Sequence, residues 1–327
     1  MTILVTGGAG YIGSHTVRML QRAGRRVLVL DSMEFGHRSA VGDAELVVGN
    51  VRDRELVTEL CRTNRVTQVV HFAAYKSVGE SMQDPGRYWQ NNVAGTVDLV
   101  EGLLAAEVKE IVFSSSCSVN GTPVDLPLTE NAPVTPESVY AETKAIVERI
   151  LAWYGMTHSL RAVSLRYFNA AGASSDGEIG EDWSRSQNLV PLVMKATLGK
   201  RPPVEVFGDD YPTPDGTCIR DYIHVDDLAD AHIRSLGYLS TGCASTTLNI
   251  GTGTGTSVFE IIRATERISG RKVPYTVSRR RVGDPIVTYA DPTLARTTIG
   301  WAATRTLDDI IRSAWLWHSA HPDGFPD

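Results

Sequence analysis

The sequence is poor in the features that mark secreted, membrane and metal-binding proteins. Its 327 residues include only four cysteines, none at CxxC or another metal-ligand spacing, so neither a metal site nor a disulfide framework is expected. It has no apolar run of about 20 residues and no basic segment followed by an apolar one at its start. The net charge of −6, without a long basic run, argues against nucleic acid or a membrane as partner. We expect a soluble, cytoplasmic protein.

What the chain does contain is enough apolar sequence for a large core. With 42% hydrophobic residues, it can form one large domain or two closely packed ones. Its first half alternates short apolar runs with helix-like segments of roughly 10 to 20 residues, which predicts βαβ units and a parallel sheet. The apolar runs are ILVT (3–6), RVLVLD (26–31), AELVVG (44–49), QVVHFA (68–73) and EIVFSSS (110–116).

The second half is less regular. The segment LRAVSLRYFNAAG (160–172) is typical of a sixth strand, and loops rich in glycine, proline and aspartate follow it. The predicted fold class is α/β, a doubly wound, Rossmann-like parallel sheet with a smaller C-terminal substrate-binding domain. We place the two domains at 1–168 and 169–327, and we expect a strand near 246–253 to return to the first sheet.

A glycine-rich loop joins the first strand to the first helix. In TGGAGYIGSH, Gly7, Gly10 and Gly13 allow a tight turn, close approach to a pyrophosphate and close packing of helix on strand. Asp31 ends the second strand, where a carboxylate binds the adenosine ribose and repels a 2′-phosphate, so NAD is favoured over NADP. Arg38 could serve NADP, but a solvated arginine is the simpler interpretation.

A tyrosine and a lysine four residues apart supply the second chemical signal. Tyr140 and Lys144 lie one turn apart on a predicted helix, so they share a face. A phenol with a pKa of ~10 is a weak base at neutral pH, and a nearby ammonium group favours the phenolate. Ser116, at the end of the fifth strand, can bind the same substrate oxygen. Although any helix can carry such a pair by chance, the combination predicts hydride transfer from an alcohol.

Seven segments resemble, in order and spacing, the extended short-chain dehydrogenase/reductases, and among them the nucleotide-sugar 4-epimerases. The resemblance implies that Tyr140 deprotonates the sugar 4-hydroxyl, that NAD takes the C4 hydride and returns it to the other face, and that NAD stays bound. The implied reaction interconverts UDP-glucose and UDP-galactose. The segments are VTGGAGYIGSH (5–15), HFAAYKSVGES (71–81), NNVAGT (91–96), FSSSCS (113–118), YAETK (140–144), LRYFNAAGA (165–173) and RDYIHVDDLADAH (220–232).

The same resemblance implies a set of binding residues, with a UDP-sugar as substrate and no metal. Those expected to bind NAD are Gly7, Gly10, Tyr11, Ile12, Gly13, Asp31, Asn50, Val51, Phe72, Ala73, Ala74, Lys76, Asn91, Ser114, Tyr140, Lys144 and Tyr167. Those expected to bind the UDP-sugar are Lys76, Ser116, Tyr140, Phe168, Asn169, Asn188, Leu189, Phe207, Arg220, Tyr222, Arg281, Asp284 and Thr288. Arginine suits the diphosphate because its planar fork matches phosphate oxygens.

Three positions depart from the family pattern. Asn50 stands where an aspartate is usual, so NAD affinity is expected to change modestly. Asn120 replaces a tyrosine, which is expected to remove an aromatic ring near the sugar. Thr288 occupies the position opposite the sugar C2 substituent, where a bulky residue is associated with rejection of N-acetylhexosamines. Its small side chain makes UDP-GlcNAc and UDP-GalNAc candidate substrates.

Other members of the same family and other classes of protein are alternatives. A 4,6-dehydratase or a uronate decarboxylase needs acidic residues where this chain has Cys117 and Ser118, so both are disfavoured. A UDP-uronate 4-epimerase and a non-catalytic NAD-binding sensor stay open. Two long helix-like segments, 84–107 and 140–155, have more apolar surface than one sheet contact requires, and in relatives the matching pair forms a dimer interface. We therefore expect a homodimer.

Overall fold

The computed structural model describes residues 1–184, 186–281 and 283–326. The strands are β1 Thr2–Thr6, β2 Arg26–Asp31, β3 Glu45–Val48, β4 Val66–His71, β5 Glu110–Ser114, β6 Arg161–Tyr167, β7 Asn169–Ala171, β8 Val204–Phe207, β9 Ile219–Arg220, β10 Tyr222–His224, β11 Thr246–Ile250, β12 Thr256–Ser257, β13 Tyr275–Ser278 and β14 Val287–Thr288. The helices are α1 Tyr11–Arg22, α2 Arg54–Thr63, α3 Val78–Gln83, α4 Pro85–Tyr88, α5 Gly95–Ala105, α6 Val139–His158, α7 Leu189–Thr197, α8 Val225–Ser240, α9 Val258–Ser269, α10 Thr293–Ile299 and α11 Leu307–Ala320.

Seven parallel strands form the central sheet, in the order β11-β6-β5-β4-β1-β2-β3. The chain starts in the middle of the sheet at β1, winds outward to β3 and then returns to β4 on the other side of β1. The predicted α/β class and doubly wound parallel sheet are confirmed. In this topology the strand order reverses between β1 and β4, and the crevice at their carboxyl ends is where such sheets bind ligands.

The strands read as nearly continuous apolar runs because both faces of the sheet are covered. On one face Leu4 and Ile111 pack in a core that includes residues of α2, α5 and α6. On the other face Ile3 and Val112 pack with residues of α1, α8 and α10. Successive strand side chains point to opposite faces, so adjacent apolar residues serve different cores. This is why the alternating pattern of a half-exposed sheet is absent from these runs.

The glycine loop between β1 and α1 lies against the end of β4. Gly7 has φ +70°, and a Cβ added there would lie 2.6 Å from the backbone nitrogen of Ala73. A Cβ on Gly13 would overlap the carbonyl oxygen of Gly7. Larger residues at these two positions would therefore displace the loop from the crevice.

Two elements differ from the sequence expectation. The segment 160–172 is not one strand: β6 ends at Tyr167, and β7 pairs with β10 outside the central sheet. The physical reason is that Phe168 packs with Leu128 and Ala290 in a separate cluster, which turns the chain across the end of the sheet. The helix predicted over 84–107 is divided into α4 and α5 by a π-helical turn at Trp89–Ala94.

The remaining elements form a smaller layer beside the carboxyl ends of the sheet strands. Helices α7, α9 and α11 share an apolar cluster that includes Met194, Ile261 and Ile311, and short two- and three-stranded sheets border it. Strand β11 pairs in parallel with β6 in the central sheet. The division at residue 168 stays a prediction, and residue 327, its predicted end, lies outside the described residues. Within the described ranges, no helix is both long and apolar enough to cross a membrane.

Four buried histidines should make stability depend on pH. Burial lowers the pKa of His71 and His318 to about 3 and that of His224 and His232 to about 4. In the unfolded chain these imidazoles take up protons near pH ~6.5. Below that pH the unfolded state therefore binds more protons than the folded state, and the free energy of unfolding decreases as the pH is lowered. We expect the urea-derived free energy of unfolding to fall by up to about 1.4 kcal/mol per pH unit for each histidine between about pH 6.5 and pH 5. His158→Asn, at an exposed position, should keep this slope, and a flat profile would contradict the prediction.

Candidate active site

A cavity of about 660 Å³ lies in the crevice at the carboxyl ends of β1, β2, β4 and β5. All residues predicted to bind a dinucleotide line it, although they come from eight separate parts of the sequence. They are Gly7, Gly10, Tyr11, Ile12, Gly13, Asp31, Asn50, Val51, Phe72, Ala73, Ala74, Lys76, Asn91, Ser114, Tyr140, Lys144 and Tyr167. The fold therefore brings the complete predicted set together around one space.

The first turn of α1 faces this cavity and fits a dinucleotide pyrophosphate. Its N-cap is Gly10, which has no side chain to cap the helix, so the first-turn N–H groups point at the cavity with the positive end of the helix dipole. The Asp31 carboxylate lies beside this turn and accepts hydrogen bonds from the Ala9 and Met33 backbone nitrogens, each at 2.9 Å. A carboxylate has about four acceptor positions, so it can also bind ribose hydroxyls.

Helix α6 carries the predicted acid–base pair. Ser138 caps its N-terminus by accepting from the Ala141 backbone nitrogen, and the Tyr140 backbone nitrogen donates to the Ser81 hydroxyl at 3.1 Å. The spacing of four residues places Lys144 next to Tyr140, with its Nζ 5.8 Å from the centre of the phenol ring. Lys144 Nζ donates to the carbonyl oxygen of Ser114 at 2.6 Å, which fixes the lysine at the end of β5.

Burial dominates the electrostatics of this pair. It raises the pKa of the Tyr140 phenol well above its usual value; the neighbouring Tyr167 adds to this, and a hydrogen bond with Ser116 opposes it. Burial lowers the pKa of Lys144 to about 7, and the nearby Glu148 opposes that shift. The sequence led us to expect that the lysine would bring the phenol into its working range. In this structure burial is the largest influence on the pKa of the phenol, and Lys144 Nζ donates to the Ser114 carbonyl.

A buried ion pair behind Lys144 was missed from the sequence. Glu148 lies one turn after Lys144 on α6, accepts from the Ser115 hydroxyl at 2.6 Å and forms a bidentate pair with Arg166 of β6. Its side chain is 11% exposed and that of Arg166 is 7% exposed. The pair ties α6 to the ends of β5 and β6, which present Ser114 and Tyr167 to the cavity. The only sequence signal was its i, i+4 spacing from Lys144.

The predicted substrate residues gather in the smaller layer beside the cavity. Thr288 of β14 lies opposite Arg220 of β9, and Tyr222 of β10 lies opposite Asn169 of β7. Phe168 is buried beside Asn169, and Leu189 begins α7. The Arg220 guanidinium lies 4.0 Å from the Asp284 carboxylate, and that of Arg281 lies 4.2 Å from the centre of the Phe207 ring.

The other four predicted substrate residues approach the cavity side of the site. Lys76 and Tyr140 line the cavity itself. Asn188 donates to a carboxylate oxygen of Glu181, another lining residue, at 2.8 Å. Ser116 caps the short 3-10 turn Cys117–Asn120, where its hydroxyl oxygen accepts from the Ser118 backbone nitrogen at 3.2 Å. The arrangement thus places a dinucleotide-sized cavity beside a layer that contains two arginines, with Tyr140, Ser116 and Lys76 near their border.

The two asparagines that depart from the family pattern have different surroundings. Asn50 lines the cavity, and its Oδ1 accepts from the Arg52 backbone nitrogen at 3.0 Å. Asn120 is buried, and its amide donates to the carbonyl oxygens of Ala132 and Pro133. The Asn120 amide therefore joins two loops beside the site.

Several cavity residues had no sequence signal. The loop after β2 contributes Glu34, Phe35 and His37, and the ring of Phe325 stacks on that of His37 with their centres 4.4 Å apart. Glu181 lines the cavity from a loop rich in glycine and aspartate. Local pattern cannot find such residues, because they reach the site only through the tertiary fold.

Comparison with known proteins agrees with this geometry. Residues 3–251 match the model of the NAD dependent epimerase/dehydratase family. The UDP-glucose 4-epimerase of Lactobacillus helveticus is 45% identical over 329 residues, covering 100% of both chains. The structure of UDP-glucose-4-epimerase from Stenotrophomonas maltophila with bound NAD and formylated UDP-arabinopyranose superimposes with a TM-score of 0.96 at 41% identity, covering 98% of this chain and 99% of that one. The UDP-Glc/GlcNAc 4-epimerase of Campylobacter jejuni gives a TM-score of 0.86 at 35% identity, covering 98% and 99%.

Proposed function

This chain belongs to the NAD dependent epimerase/dehydratase family, and from that premise we propose that it interconverts UDP-glucose and UDP-galactose by inverting the configuration at sugar C4. It is an isomerase, and its cofactor is NAD. The observation that carries the proposal is that all predicted dinucleotide-binding residues, including Tyr140 and Lys144, line one cavity. The glycine turn, the uncapped start of α1 and Asp31 fit a dinucleotide there.

The acid–base work falls to residues of this chain. Tyr140 takes the proton of the sugar 4-hydroxyl and later returns it, while Ser116 binds the same oxygen and lowers the pKa of the phenol. Lys144, when protonated, favours the phenolate form of Tyr140. The Ser114 carbonyl accepts a hydrogen bond from Lys144 and so holds the lysine in place. Bound NAD supplies a reversible hydride acceptor and a positive charge on its nicotinamide ring. Burial of the phenol excludes water, which protects the 4-keto sugar while it turns over.

The smaller layer holds the nucleotide part of the substrate. Arg220 and Arg281 are the cations that suit a diphosphate, and Asp284 and Asn188 supply acceptors and donors for the uridine. Phe207, stacked under Arg281, offers a ring face to the uracil. Leu189, Phe168, Asn169 and Tyr222 complete this wall. Because these residues hold only the UDP part of the substrate, the hexose is free to present either face to the cofactor.

One incubation tests the proposed function. Purified protein, without added NAD, is mixed with UDP-galactose, and the nucleotide sugars are separated by chromatography. We expect UDP-glucose to form catalytically, with the C4 hydrogen isotope retained in the product. Accumulation of NADH in step with oxidised sugar would indicate a dehydrogenase instead. Bound NAD without any turnover would indicate a sensor, and turnover of UDP-glucuronate alone would indicate a uronate epimerase.

Acetamido sugars are a second candidate substrate class because of Thr288. Its side chain is small and 8% exposed, and its hydroxyl has no hydrogen-bond partner among the residues that the structure describes. Such a side chain leaves room for a C2 acetamido group and can bind its oxygen. The C. jejuni relative is by name a UDP-Glc/GlcNAc 4-epimerase.

We expect Thr288→Tyr to abolish turnover of UDP-GlcNAc selectively while UDP-glucose is still epimerised, because the ring fills the space for the acetamido group. The measurement is the ratio of kcat/KM for the two substrates. Thr276→Tyr, at an exposed position of β13, should leave that ratio at the wild-type value. An unchanged ratio in Thr288→Tyr would count against this role.

The assembly and location of the protein are also part of the proposal. Trp153 and Met156 on α6 are 65% and 69% exposed, and they lie three residues apart on one helix face. An apolar helix face of this kind supports a homodimer built on α5 and α6. Sedimentation velocity should give twice the chain mass of 35.6 kDa, and a monomer at micromolar concentration would refute it. We place the enzyme in the cytoplasm, where reducing conditions suit its four free cysteines.

A further inference from the structure

A buried carboxylate on the wall of the cavity is not used by the mechanism above. Glu181 lies in the loop between β7 and α7, is 3% exposed and lines the cavity. Trp317 of α11 holds this loop: its Nε1 donates to the Glu181 carbonyl oxygen at 3.2 Å, and its ring covers Gly180 so closely that a Cβ there would overlap it. The backbone of Glu181 is therefore fixed from behind, at the wall of the cavity.

One carboxylate oxygen of Glu181 connects the two halves of the site. Oε1 accepts from Asn188 Nδ2 and from the Ser186 hydroxyl, each at 2.8 Å, and from Lys76 Nζ at 3.4 Å. Lys76 belongs to the loop after β4 on the cofactor side, whereas Asn188 is the N-cap residue of α7 on the substrate side. A single acceptor thus sets the distance between two of the expected binding residues.

The other oxygen, Oε2, is buried and has no hydrogen-bond partner within residues 1–184, 186–281 and 283–326. A buried acceptor without a donor is costly, and for a charged oxygen more so. A ligand donor in the cavity would satisfy it. Phosphate oxygens cannot donate and carry like charge, whereas ligand hydroxyl groups can donate. Both expected ligands carry them, on the riboses and on the hexose.

We propose that Glu181 is a positioning and ligand-binding residue: with Oε1 it aligns Lys76 and Asn188, and with Oε2 it accepts a hydrogen bond from a ribose or hexose hydroxyl of the bound ligand. This inference rests on the proposed function for the identity of the ligands. It explains why an acidic residue is buried in a cavity expected to hold two diphosphates. Lys76, paired with Oε1, offsets part of its charge.

Two substitutions separate the two roles. Glu181→Gln keeps an oxygen for Ser186 and Asn188 but replaces Oε2 with an amide, so the ligand bond and the charge that pairs with Lys76 are lost. We expect affinity for the ligand that donates this bond to fall about 10-fold to 100-fold. Glu181→Ala removes both oxygens, and UDP affinity should fall as well because Asn188 loses its partner. Glu178→Gln is the matched control: it makes the same chemical change at an exposed position of the same loop.

Three titrations identify the source of the hydroxyl. Loss of NAD content in Glu181→Gln indicates a cofactor ribose. Equal weakening of UDP and UDP-glucose binding indicates the uridine ribose, and weakening of UDP-glucose alone indicates the hexose. In either substrate case, KM for UDP-galactose should rise more than kcat falls. Each of these outcomes supports the proposal.

Other outcomes overturn it. The proposal fails if Glu181→Gln has the same NAD content, the same affinities for UDP and UDP-glucose and the same KM as Glu178→Gln. It also fails if Glu181→Gln and Glu181→Asp both lose affinity for NAD, UDP and UDP-glucose to the same extent and unfold at a lower temperature. Glu181 would then be a structural residue only. Glu181→Asp serves as the second variant, since it keeps the charge but withdraws the oxygen from the cavity by one methylene. If the wild type does not turn over UDP-galactose, the proposed function fails, and the NAD and UDP titrations still test Glu181.

Discussion

Tyr140→Phe should lower kcat by about 10²-fold to 10⁴-fold while the purified protein keeps its NAD. The substitution removes one oxygen, and with it the acceptor for the proton of the sugar 4-hydroxyl. The ring stays in its buried position on α6, and Lys144 keeps its bond to the Ser114 carbonyl, so the cofactor contacts of this helix are retained. KM for UDP-galactose should change little, because the UDP contacts lie in the smaller layer. The measurements are kcat, KM and NAD content of wild type and variant.

The control for this prediction lies on the same helix. Tyr154 of α6 donates its phenol to Glu101 at 2.6 Å, away from the cavity, so Tyr154→Phe makes the same chemical change without touching the site. It should retain the wild-type kcat. If Tyr140→Phe were fully active, Tyr140 would not be the acid–base group. A loss of activity accompanied by loss of NAD would assign the tyrosine to cofactor binding.

The sequence predicted the central fold well because local pattern determines it. Strands buried on both faces need continuous apolar runs, and the glycines of the first turn are required by the close approach of Gly7 to Ala73. The break after β6 could not be predicted in the same way. Whether the chain continues straight at Phe168 depends on its packing against Leu128 and Ala290, which are far away in sequence.

The residues of the candidate site fall into the same two groups, those that local pattern identifies and those that depend on the tertiary fold. Gly7, Gly13 and Asp31 could be assigned from spacing and chemistry alone, since each meets a local requirement of dinucleotide binding. The substrate residues could be assigned only by resemblance, because an arginine in a loop has no local property that marks it as a phosphate ligand. Glu148 and Glu181 were missed, since their significance comes from burial, and neither neighbours a recognisable motif.

The second large effect is expected at the adenosine end of the cavity, for Asp31→Ala. The Asp31 carboxylate accepts from the Ala9 and Met33 backbone nitrogens and so shapes the glycine loop, besides binding ribose hydroxyls. A hydrogen bond to a charged group contributes about 1.5–3 kcal/mol, so loss of two to ribose corresponds to about 10²-fold to 10⁴-fold in the Kd of NAD. The protein should be purified with little NAD and should regain activity when NAD is added.

Two variants separate the ribose contacts from the support of the loop. Asp31→Asn retains one oxygen acceptor, so it should keep the loop folded and show an intermediate affinity for NAD. Because it lacks the charge that repels a 2′-phosphate, its preference for NAD over NADP should also narrow. Asp43→Ala, at an exposed position, should leave cofactor content at the wild-type level. NAD content equal to wild type in Asp31→Ala would mean that Asp31 supports only the glycine loop, and the ribose would need another partner in the cavity.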